Sequence, residues 1–300
     1  MKVLILRPFT SFLPEADAYE QALSSAGMTV VTHPADAPDV SAGDFDVVYR
    51  FAGFLRSLGV GIPEIHEYSS GSTGRVPRTK NLAKSLLSNR PAGRVFTEPF
   101  VRRQFHFVRR APSIFRDIGV SPAFLLARES VNKDIDIVYV GSISGRAGVA
   151  STVIDFASRG FKVAVAGNAD ATVQREFSRH GIEFVGRLIP NEIPRFLARS
   201  THGLNLMPNV YPLIHQTSSK VQEYLAAGLT VISNDYPWIR DHSRSLGYRY
   251  LSLDNILGNS QHRLPTYEPI SSEVIRGMSW NQVLDRAGFV DFVAKCGGDI

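Results

Sequence analysis

A lysine and a glutamate three positions apart, Lys220 and Glu223, offer the most specific chemistry in the sequence. Thr217 or Ser218 can cap a helix beginning near Ser219, and the free N–H groups and positive dipole end of such a helix favour a bound phosphate. Lys220 in the first turn adds a positive charge, and Glu223 on the same face can accept hydrogen bonds from a ribose diol. The alternative is a capped helix with an i,i+3 ion pair and no ligand.

A loop with two glycines, residues 141–146, follows a predicted strand and precedes a predicted helix. Glycines at such a position let backbone amides approach a pyrophosphate, so Gly141 and Ser142 are candidate contacts. Arg146 can add a charge-assisted hydrogen bond to a phosphate, or it can be a solvated surface arginine. The loop is therefore a second candidate for phosphate binding.

A polar segment at 65–75, which includes His66 and Glu67, comes at the end of a predicted strand and should reach the ligand-binding edge of its sheet. Either residue can act as a general base toward a hydroxyl group or stabilise a cationic transition state. The alternative is a polar turn in which serine and glycine serve the conformation of the chain.

Positive charge is concentrated in residues 75–116, which hold eleven Lys and Arg side chains and a single acid, Glu98, although the net charge of the whole chain is only +5. This segment predicts an anionic partner: a membrane surface, a lipid-pyrophosphate acceptor or single-stranded nucleic acid. An inward phenylalanine face with solvated arginines is the alternative. The phenylalanines concerned are Phe96, Phe100, Phe105, Phe107 and Phe115.

Length and composition limit the class of protein. At about 150 residues per domain, 300 residues predict two domains, and 44% hydrophobic residues indicate a folded globular chain. The single cysteine, Cys296, cannot form an internal disulfide, and a cysteine-rich zinc site is excluded. The apolar runs are too short for a signal peptide or a spanning helix, so a cytoplasmic protein is expected, and peripheral association with the inner face of the plasma membrane stays open as an alternative.

The candidate residues can form a site only if the fold places them at the ends of strands. Apolar strands alternating with helices predict two doubly wound parallel-sheet domains of the Rossmann-like α/β class, over 1–125 and 134–278, with a linker near 121–133. Ligands of such sheets lie outside the carboxyl ends of the strands, so the two domains are expected to face a common cleft. Strands are predicted at 3–7, 28–32, 46–51, 62–66, 94–97, 135–140, 161–166, 182–184, 202–207, 230–233 and 250–253.

The segment from Lys220 to Val231 resembles the donor-binding signature of retaining GT-B-fold glycosyltransferases, the large glycogen-synthase-like and sucrose-synthase-like group, of bacterial polysaccharide type. Four further segments match in order, at 137–141, 184–190, 203–208 and 279–280. The match covers most of residues 136–292, whereas the N-terminal domain matches in outline. The resemblance implies that a helix at 279–300 crosses back toward the N-terminal domain.

The resemblance also implies roles for single residues. Glu223 takes the position of the family's ribose-binding glutamate, and Arg146 that of a basic clamp on the diphosphate. Arg187 lies in the segment that resembles the base-holding loop. The family's first acidic position, eight residues before Glu223, contacts the donor sugar and is occupied by His215 here. The catalytic candidates are His66, Glu67 and His215.

The expected activity is a metal-independent glycosyltransferase that uses a nucleotide-diphosphate sugar as donor and a glycan or lipid-linked molecule as acceptor. No cofactor and no metal are expected, since Lys220, Arg146 and the helix N-terminus supply the positive charge. Two alternatives remain. One is a nucleic-acid or anionic-surface binder that uses residues 75–116, although nucleic acid is disfavoured by the absence of a known motif. The other is an inactive protein that binds a nucleotide sugar.

Overall fold

A computed structural model describes residues 1–8, 13–35, 42–51, 61–128, 132–259 and 262–298. The chain forms two compact units. The first comprises residues 1–119 and 278–300, and the second comprises residues 120–277. The division falls between Gly119 and Val120, so the segment 120–128 belongs to the second unit and the C-terminal residues to the first.

The strands and helices alternate along the chain. The strands are β1 (Lys2–Arg7), β2 (Thr29–Pro34), β3 (Val47–Phe51), β4 (Glu64–Tyr68), β5 (Gly93–Phe96), β6 (Ser113–Phe115), β7 (Ile135–Val140), β8 (Val163–Ala166), β9 (Glu183–Phe184), β10 (Ser200–Asn205), β11 (Thr230–Ser233) and β12 (Tyr250–Ser252). The helices are α1 (Pro14–Ser25), α2 (Pro77–Leu87), α3 (Pro99–Arg103), α4 (Ala123–Ala127), α5 (Val149–Ser158), α6 (Ala171–Arg179), α7 (Ile193–Ala198), α8 (Ser219–Ala226), α9 (Pro237–Leu246), α10 (Leu253–Leu257), α11 (Ser272–Gly277), α12 (Trp280–Ala287) and α13 (Phe289–Gly297).

The first unit contains a parallel sheet that has six strands within the described residues, in the order β2-β1-β3-β4-β5-β6. Its core joins the sheet to α1 and to the C-terminal helices α12 and α13. Phe289 stacks on Tyr19 with ring centroids 4.4 Å apart, and Gly119 and Gly93 lack the Cβ atoms that would collide with Trp280 and Phe292. This packing explains why the C-terminal residues belong to the first unit.

The second unit also has six parallel strands within its described residues, in the order β12-β11-β10-β7-β8-β9. Numbered within the unit, this is the 6-5-4-1-2-3 arrangement of dinucleotide-binding folds. The core consists of the apolar strands together with buried residues of α5, α6 and α10. The prediction of two doubly wound α/β domains is confirmed.

The predicted elements differ from the observed ones mainly at their ends. Strand β4 ends at Tyr68, two residues later than predicted, and β10 spans Ser200–Asn205 where 202–207 was expected. Strand β6 was not predicted, because its three half-exposed residues have no clear apolar period. Within the described residues, no helix is long and apolar enough to cross a membrane.

Candidate functional site

The candidate site lies where the strand order of the second unit reverses, between β7 and β10. At such a switch point the connections leave the two strands toward opposite faces, and a crevice opens at their carboxyl ends. The segment after β7 contains Gly141, Ser142 and Arg146. The segment after β10 contains His215 and leads into α8. Topology therefore brings the predicted phosphate-binding segments to one crevice.

Tyr224 holds α8 against the two strands of the crevice. Its hydroxyl accepts a hydrogen bond from the Val140 backbone N–H at 3.3 Å and donates one to the Leu204 carbonyl at 3.2 Å. The ring packs on Gly203 of β10, where a Cβ atom would collide with it. Gly228, at φ +76°, ends the helix, and the Leu229 N–H bonds the Tyr224 carbonyl at 2.9 Å, as in a Schellman motif. The position of α8 is thus fixed at both ends.

The start of α8 differs from the predicted cap. Ser218 is the N-cap residue, but its hydroxyl donates to Asn205 Oδ1 at 3.0 Å instead of accepting from the helix, and it forms no side-chain cap bond. Asn205 is itself fixed by its amide, which donates to Ser233 Oγ at 2.9 Å and to Tyr236 Oη at 3.1 Å. Ser219, the first helical residue, is exposed. The first-turn N–H groups are therefore available to an anionic ligand.

Lys220 extends from the first turn of α8 over Gly141. A Cβ atom at Gly141 would lie 2.9 Å from Lys220 Cε and 3.6 Å from Nζ, so the lysine packs closely on this glycine, whose φ of +145° disfavours other residues. The ammonium group is 5.9 Å from the centroid of the Tyr139 ring. Burial and the positive charge of Arg146 both lower the pKa of Lys220. Two cations that disfavour each other in one crevice favour binding of an anion.

Glu223 lies one turn further along α8 and is half-buried. Burial raises the pKa of Glu223 to about 7, although the charge of Lys220 acts in the opposite direction. Among the residues that the structure describes, the ion pairs within single helices are Arg159–Asp155, Arg179–Glu176 and Arg244–Asp241, so the alternative of a Lys220–Glu223 ion pair is not formed. A partly protonated carboxyl group that forms no ion pair is expected at a ligand site more than at a structural one.

Arg146, Arg187 and His215 lie at the same edge of the sheet as Lys220. Arg146 is exposed and close enough to act on the charge of Lys220. Arg187 is exposed and follows β9, two strands from β7, or about 10 Å at normal strand spacing. His215 ends a short 3-10 helix, Leu213–His215, and its ring centroid is 6.2 Å from that of Tyr211. The structure thus places Arg146 near Lys220, whereas Arg187 and His215 lie on neighbouring loops.

His66 and Glu67 lie inside β4, not in a segment after it, and both are buried. The Nε2 atom of His66 is 3.0 Å from Glu64 Oε2, which also accepts from Arg50 at 2.7 Å. Burial lowers the pKa of His66. His66 is therefore a neutral imidazole buried within the strand, and it does not reach the ligand-binding edge as expected.

Glu67 is the centre of a buried polar network. Oε2 accepts hydrogen bonds from Tyr19 at 2.9 Å and Tyr49 at 2.5 Å, while Oε1 accepts from Ser69 at 2.9 Å and from the guanidinium of Arg116. Burial lowers the pKa of Arg116, whereas the carboxylate of Glu67 raises it, and the net result is a pKa above the usual value of arginine. Both oxygens of the Glu67 carboxylate are therefore engaged by neighbouring side chains. The geometry thus favours a role for Glu67 in joining α1, β3 and β4.

The basic segment 75–116 is partly internal. Arg94 and Arg116 are buried, and Arg94 lies 3.9 Å from the centroid of the Phe107 ring. Phe96 and Phe105 belong to a core cluster with Tyr68. The exposed members of the segment include Arg75, Arg78, Lys80, Arg90, Arg103, Arg109, Arg110 and Phe115.

The paired aspartates of the chain lie away from the crevice. Two Asp-x-Asp sequences occur, at 44–46 and 134–136, and both lie at the amino ends of strands, β3 and β7. Asp134 is paired with Arg199 at 2.7 Å, and Asp136 accepts from the Lys162 backbone N–H at 2.8 Å. No group of three or more His, Cys, Asp or Glu side chains that could hold a metal ion occurs in the described ranges.

Solved structures align with the chain over nearly its whole length at low sequence identity. AviGT4, a glycosyltransferase involved in avilamycin A biosynthesis, has a TM-score of 0.63 and 16% identity, covering 100% of this chain and 99% of that one. HepE of Anabaena, in complex with UDP-glucose, has a TM-score of 0.59 and 12% identity over 99% and 98% of the two chains. Sucrose-phosphate synthase of Thermosynechococcus elongatus has a TM-score of 0.57 and 11% identity over 100% and 92%.

The likeness to these structures concerns the fold. No protein-family model matches the sequence, and no curated protein matches it significantly. The chain has the GT-B fold, with two α/β domains that each contain a parallel sheet, and the fold implied by the resemblance at Lys220–Val231 is confirmed.

Proposed function

We propose that this chain is a glycosyltransferase that moves a sugar from a nucleotide-diphosphate sugar to a hydroxyl group of an acceptor. The observation that carries the proposal is the crevice at β7 and β10, where Lys220 lies on Gly141 beside Arg146, with Glu223 one helical turn away. Cations at one end and a carboxyl group at the other match a diphosphate joined to a ribose. Proteins of the same fold have been solved with UDP and UDP-glucose, which supports a uridine nucleotide as the first donor to test.

The chemical role of the crevice is to stabilise the leaving nucleotide. When the bond between sugar and diphosphate breaks, negative charge develops on the β-phosphate. Lys220, Arg146 and the uncapped N–H groups of α8 would stabilise that charge in place, without reorganising. The proposed reaction therefore assigns charge neutralisation to this chain's own cations rather than to a metal ion.

Glu223 and His215 are assigned to the rest of the donor. The carboxylate of Glu223 would accept hydrogen bonds from the ribose hydroxyls, and His215 would contact the donor sugar from the loop that precedes α8. Gly141, Ser142 and Ser219 would contribute backbone contacts to the phosphates, and Arg187 belongs to the loop proposed to hold the base. The resemblance to retaining enzymes supports transfer with retention.

A glycan or a lipid-linked molecule is proposed as the acceptor, within polysaccharide or glycoconjugate synthesis in the cytoplasm. The exposed arginines of segment 75–116 support contact with an anionic membrane surface, where each basic side chain contributes about 1 kcal/mol. Arg103, Arg109 and Arg110 are the members to neutralise in a vesicle-binding test.

A thermal-shift screen tests the donor. UDP, GDP, ADP and CMP, each with and without a sugar, are added to the protein, and one nucleotide diphosphate is expected to raise the melting temperature. A ligand at about 100 times its dissociation constant adds about 2.7 kcal/mol to stability. Sugar transfer or donor hydrolysis then separates an enzyme from an inactive binder. A protein that none of these nucleotides stabilises would contradict the proposal.

Nucleotide affinity is expected to rise with pH because of Glu223. With a pKa of about 7, this carboxyl group is about one-tenth ionised at about pH 6 and nine-tenths ionised at about pH 8. Only the ionised form accepts hydrogen bonds with both oxygens. For each protein, calorimetry with UDP gives the affinity at the higher pH divided by the affinity at the lower pH. This ratio should be up to about tenfold larger for the wild type than for Glu223→Gln.

The phosphates of UDP also titrate, but their effect on affinity is common to both proteins and cancels in the comparison with Glu223→Gln. The same ratio of affinities in both proteins would mean that Glu223 does not contact the nucleotide in its ionised form.

A further inference from the structure

A cavity of about 530 Å³ lies in the first unit, at the carboxyl end of β4. The loop 70–73 lines one side, and Lys80, Ala83 and Lys84 of α2 line the other. Its volume falls in the range of small-molecule sites, about 300–1,000 Å³, and the carboxyl edge of a parallel sheet is where these domains bind ligands. This cavity is separate from the crevice proposed for the donor, which lies in the second unit.

The loop that lines the cavity is fixed by hydrogen bonds to its surroundings. The Ser72 backbone N–H donates to Oδ1 of the buried Asn81 at 2.9 Å, and Ser85 Oγ donates to the Asn81 carbonyl at 2.7 Å. Thr97 Oγ1 donates to the Ser69 carbonyl at 3.1 Å. A ligand therefore meets a loop that is already ordered, and binding costs little conformational entropy.

Ser72 contributes to the wall of this cavity. The residue is 8% exposed, and its hydroxyl is shielded from solvent and has no hydrogen-bond partner among the described residues.

Lys80 and Lys84 bring two positive charges to the same cavity, one helical turn apart. Lys80 Nζ donates to the Thr73 carbonyl at 3.3 Å, which holds the ammonium group beside the loop. Burial and the charge of Lys80 lower the pKa of Lys84. The sequence from 69 to 97 contains no Asp or Glu, so neither the loop nor α2 carries a counter-charge of its own.

We propose that this cavity binds a phosphoryl group through Lys80 and Lys84, beside the ordered loop 70–73. If the chain transfers sugars as proposed above, on which this further step rests, the phosphoryl group belongs to the acceptor, which is then a phosphorylated sugar or a lipid phosphate. Two ammonium groups match the charge of a phosphate monoester, about −1.5 to −2 at neutral pH, better than the single charge of a carboxylate.

Calorimetry with methyl phosphate tests the site in a Lys220→Met protein, whose donor crevice has lost its lysine. One molecule is expected to bind per chain. The added pair Lys80→Met and Lys84→Met should weaken binding about tenfold or more, whereas Lys162→Met and Lys295→Met, which remove the same charge from exposed positions elsewhere, should leave it unchanged. Equal affinity in the two variants, or no binding at all, overturns the proposal.

Vesicles of phosphatidylcholine with and without phosphatidic acid distinguish the two sources of the phosphoryl group. Sedimentation that depends on phosphatidic acid, Lys80 and Lys84 assigns the site to a lipid phosphate, while methyl phosphate binding without sedimentation assigns it to a soluble acceptor. If the protein binds methyl phosphate through Lys80 and Lys84 but binds no nucleotide, the phosphoryl site is supported and the proposed glycosyltransferase activity is contradicted. Nucleotide binding with phosphate affinity indifferent to the lysines would remove this site alone.

Discussion

Lys220→Met is expected to weaken binding of a nucleotide diphosphate by about 10- to 100-fold and to lower sugar transfer by about 100- to 1,000-fold. Methionine keeps an apolar stem over Gly141 and near the Tyr139 ring, so α8 should stay in place while the positive charge is lost. The effect on transfer should exceed the effect on binding, because the charge on the leaving phosphate grows as the bond breaks.

The control for this prediction is Lys162→Met. Lys162 is an exposed lysine of the same unit, just before β8 and so at the opposite edge of the sheet. Its loss changes the net charge equally but should leave binding and transfer unchanged. Calorimetry with UDP and a transfer assay measure both variants. Equal UDP affinity in Lys220→Met and wild type would remove Lys220 from the diphosphate site.

The donor crevice was predictable because its residues are close in sequence and follow strands. Lys220 and Glu223 share one helix face, and the glycine loop at 141–146 follows an apolar strand, so local pattern and the strand-end rule place all of them at one edge. The strand order that places β7 beside β10 is a long-range property, but the alternation of strands and helices leaves few arrangements to consider.

The groups that fix the crevice were missed, because their roles depend on partners far away in sequence. Asn205 draws Ser218 away from its expected cap, and the Tyr224 hydroxyl links β7 to β10 across 84 and 20 positions. Ser218 followed the rule for capping residues, and only the structure shows a competing acceptor. The one available sign was that Tyr224 belongs to the segment that resembles a donor-binding signature.

The polar residues of β4 are a second place where the structure differs from the prediction, because they are buried. The run from Glu64 to Tyr68 contains three polar residues and predicts a solvent-facing strand end, but all five residues are buried. The two carboxylates are matched by distant partners, Arg50 for Glu64 and Arg116 for Glu67. Such matching cannot be seen in one sequence, because 49 positions separate Glu67 from Arg116.

Arg116→Met is expected to lower the free energy of unfolding by about 3–5 kcal/mol. The guanidinium is buried against Glu67 and lies 3.5 Å from Glu15, so its loss leaves two carboxyl groups in the interior without a cation. It also removes a contact with Trp280, whose ring centroid is 5.4 Å from the guanidinium carbon. Urea unfolding followed by fluorescence measures the change, and Arg103→Met, at an exposed position of the same basic segment, should stay within about 0.5 kcal/mol of wild type.

The double variant Arg116→Met with Glu67→Gln decides whether Glu67 is structural. If the ion pair is what Arg116 serves, removing the unpaired carboxylate should recover part of the stability lost in Arg116→Met, and the two substitutions should be strongly non-additive. Glu67→Gln alone should then destabilise the protein, since Tyr19 and Tyr49 keep only a neutral acceptor. A catalytic base would behave differently: Glu67→Gln would abolish transfer with little change in stability, and the double variant would be the sum of the singles. That result would restore Glu67 to the reaction despite its four donors.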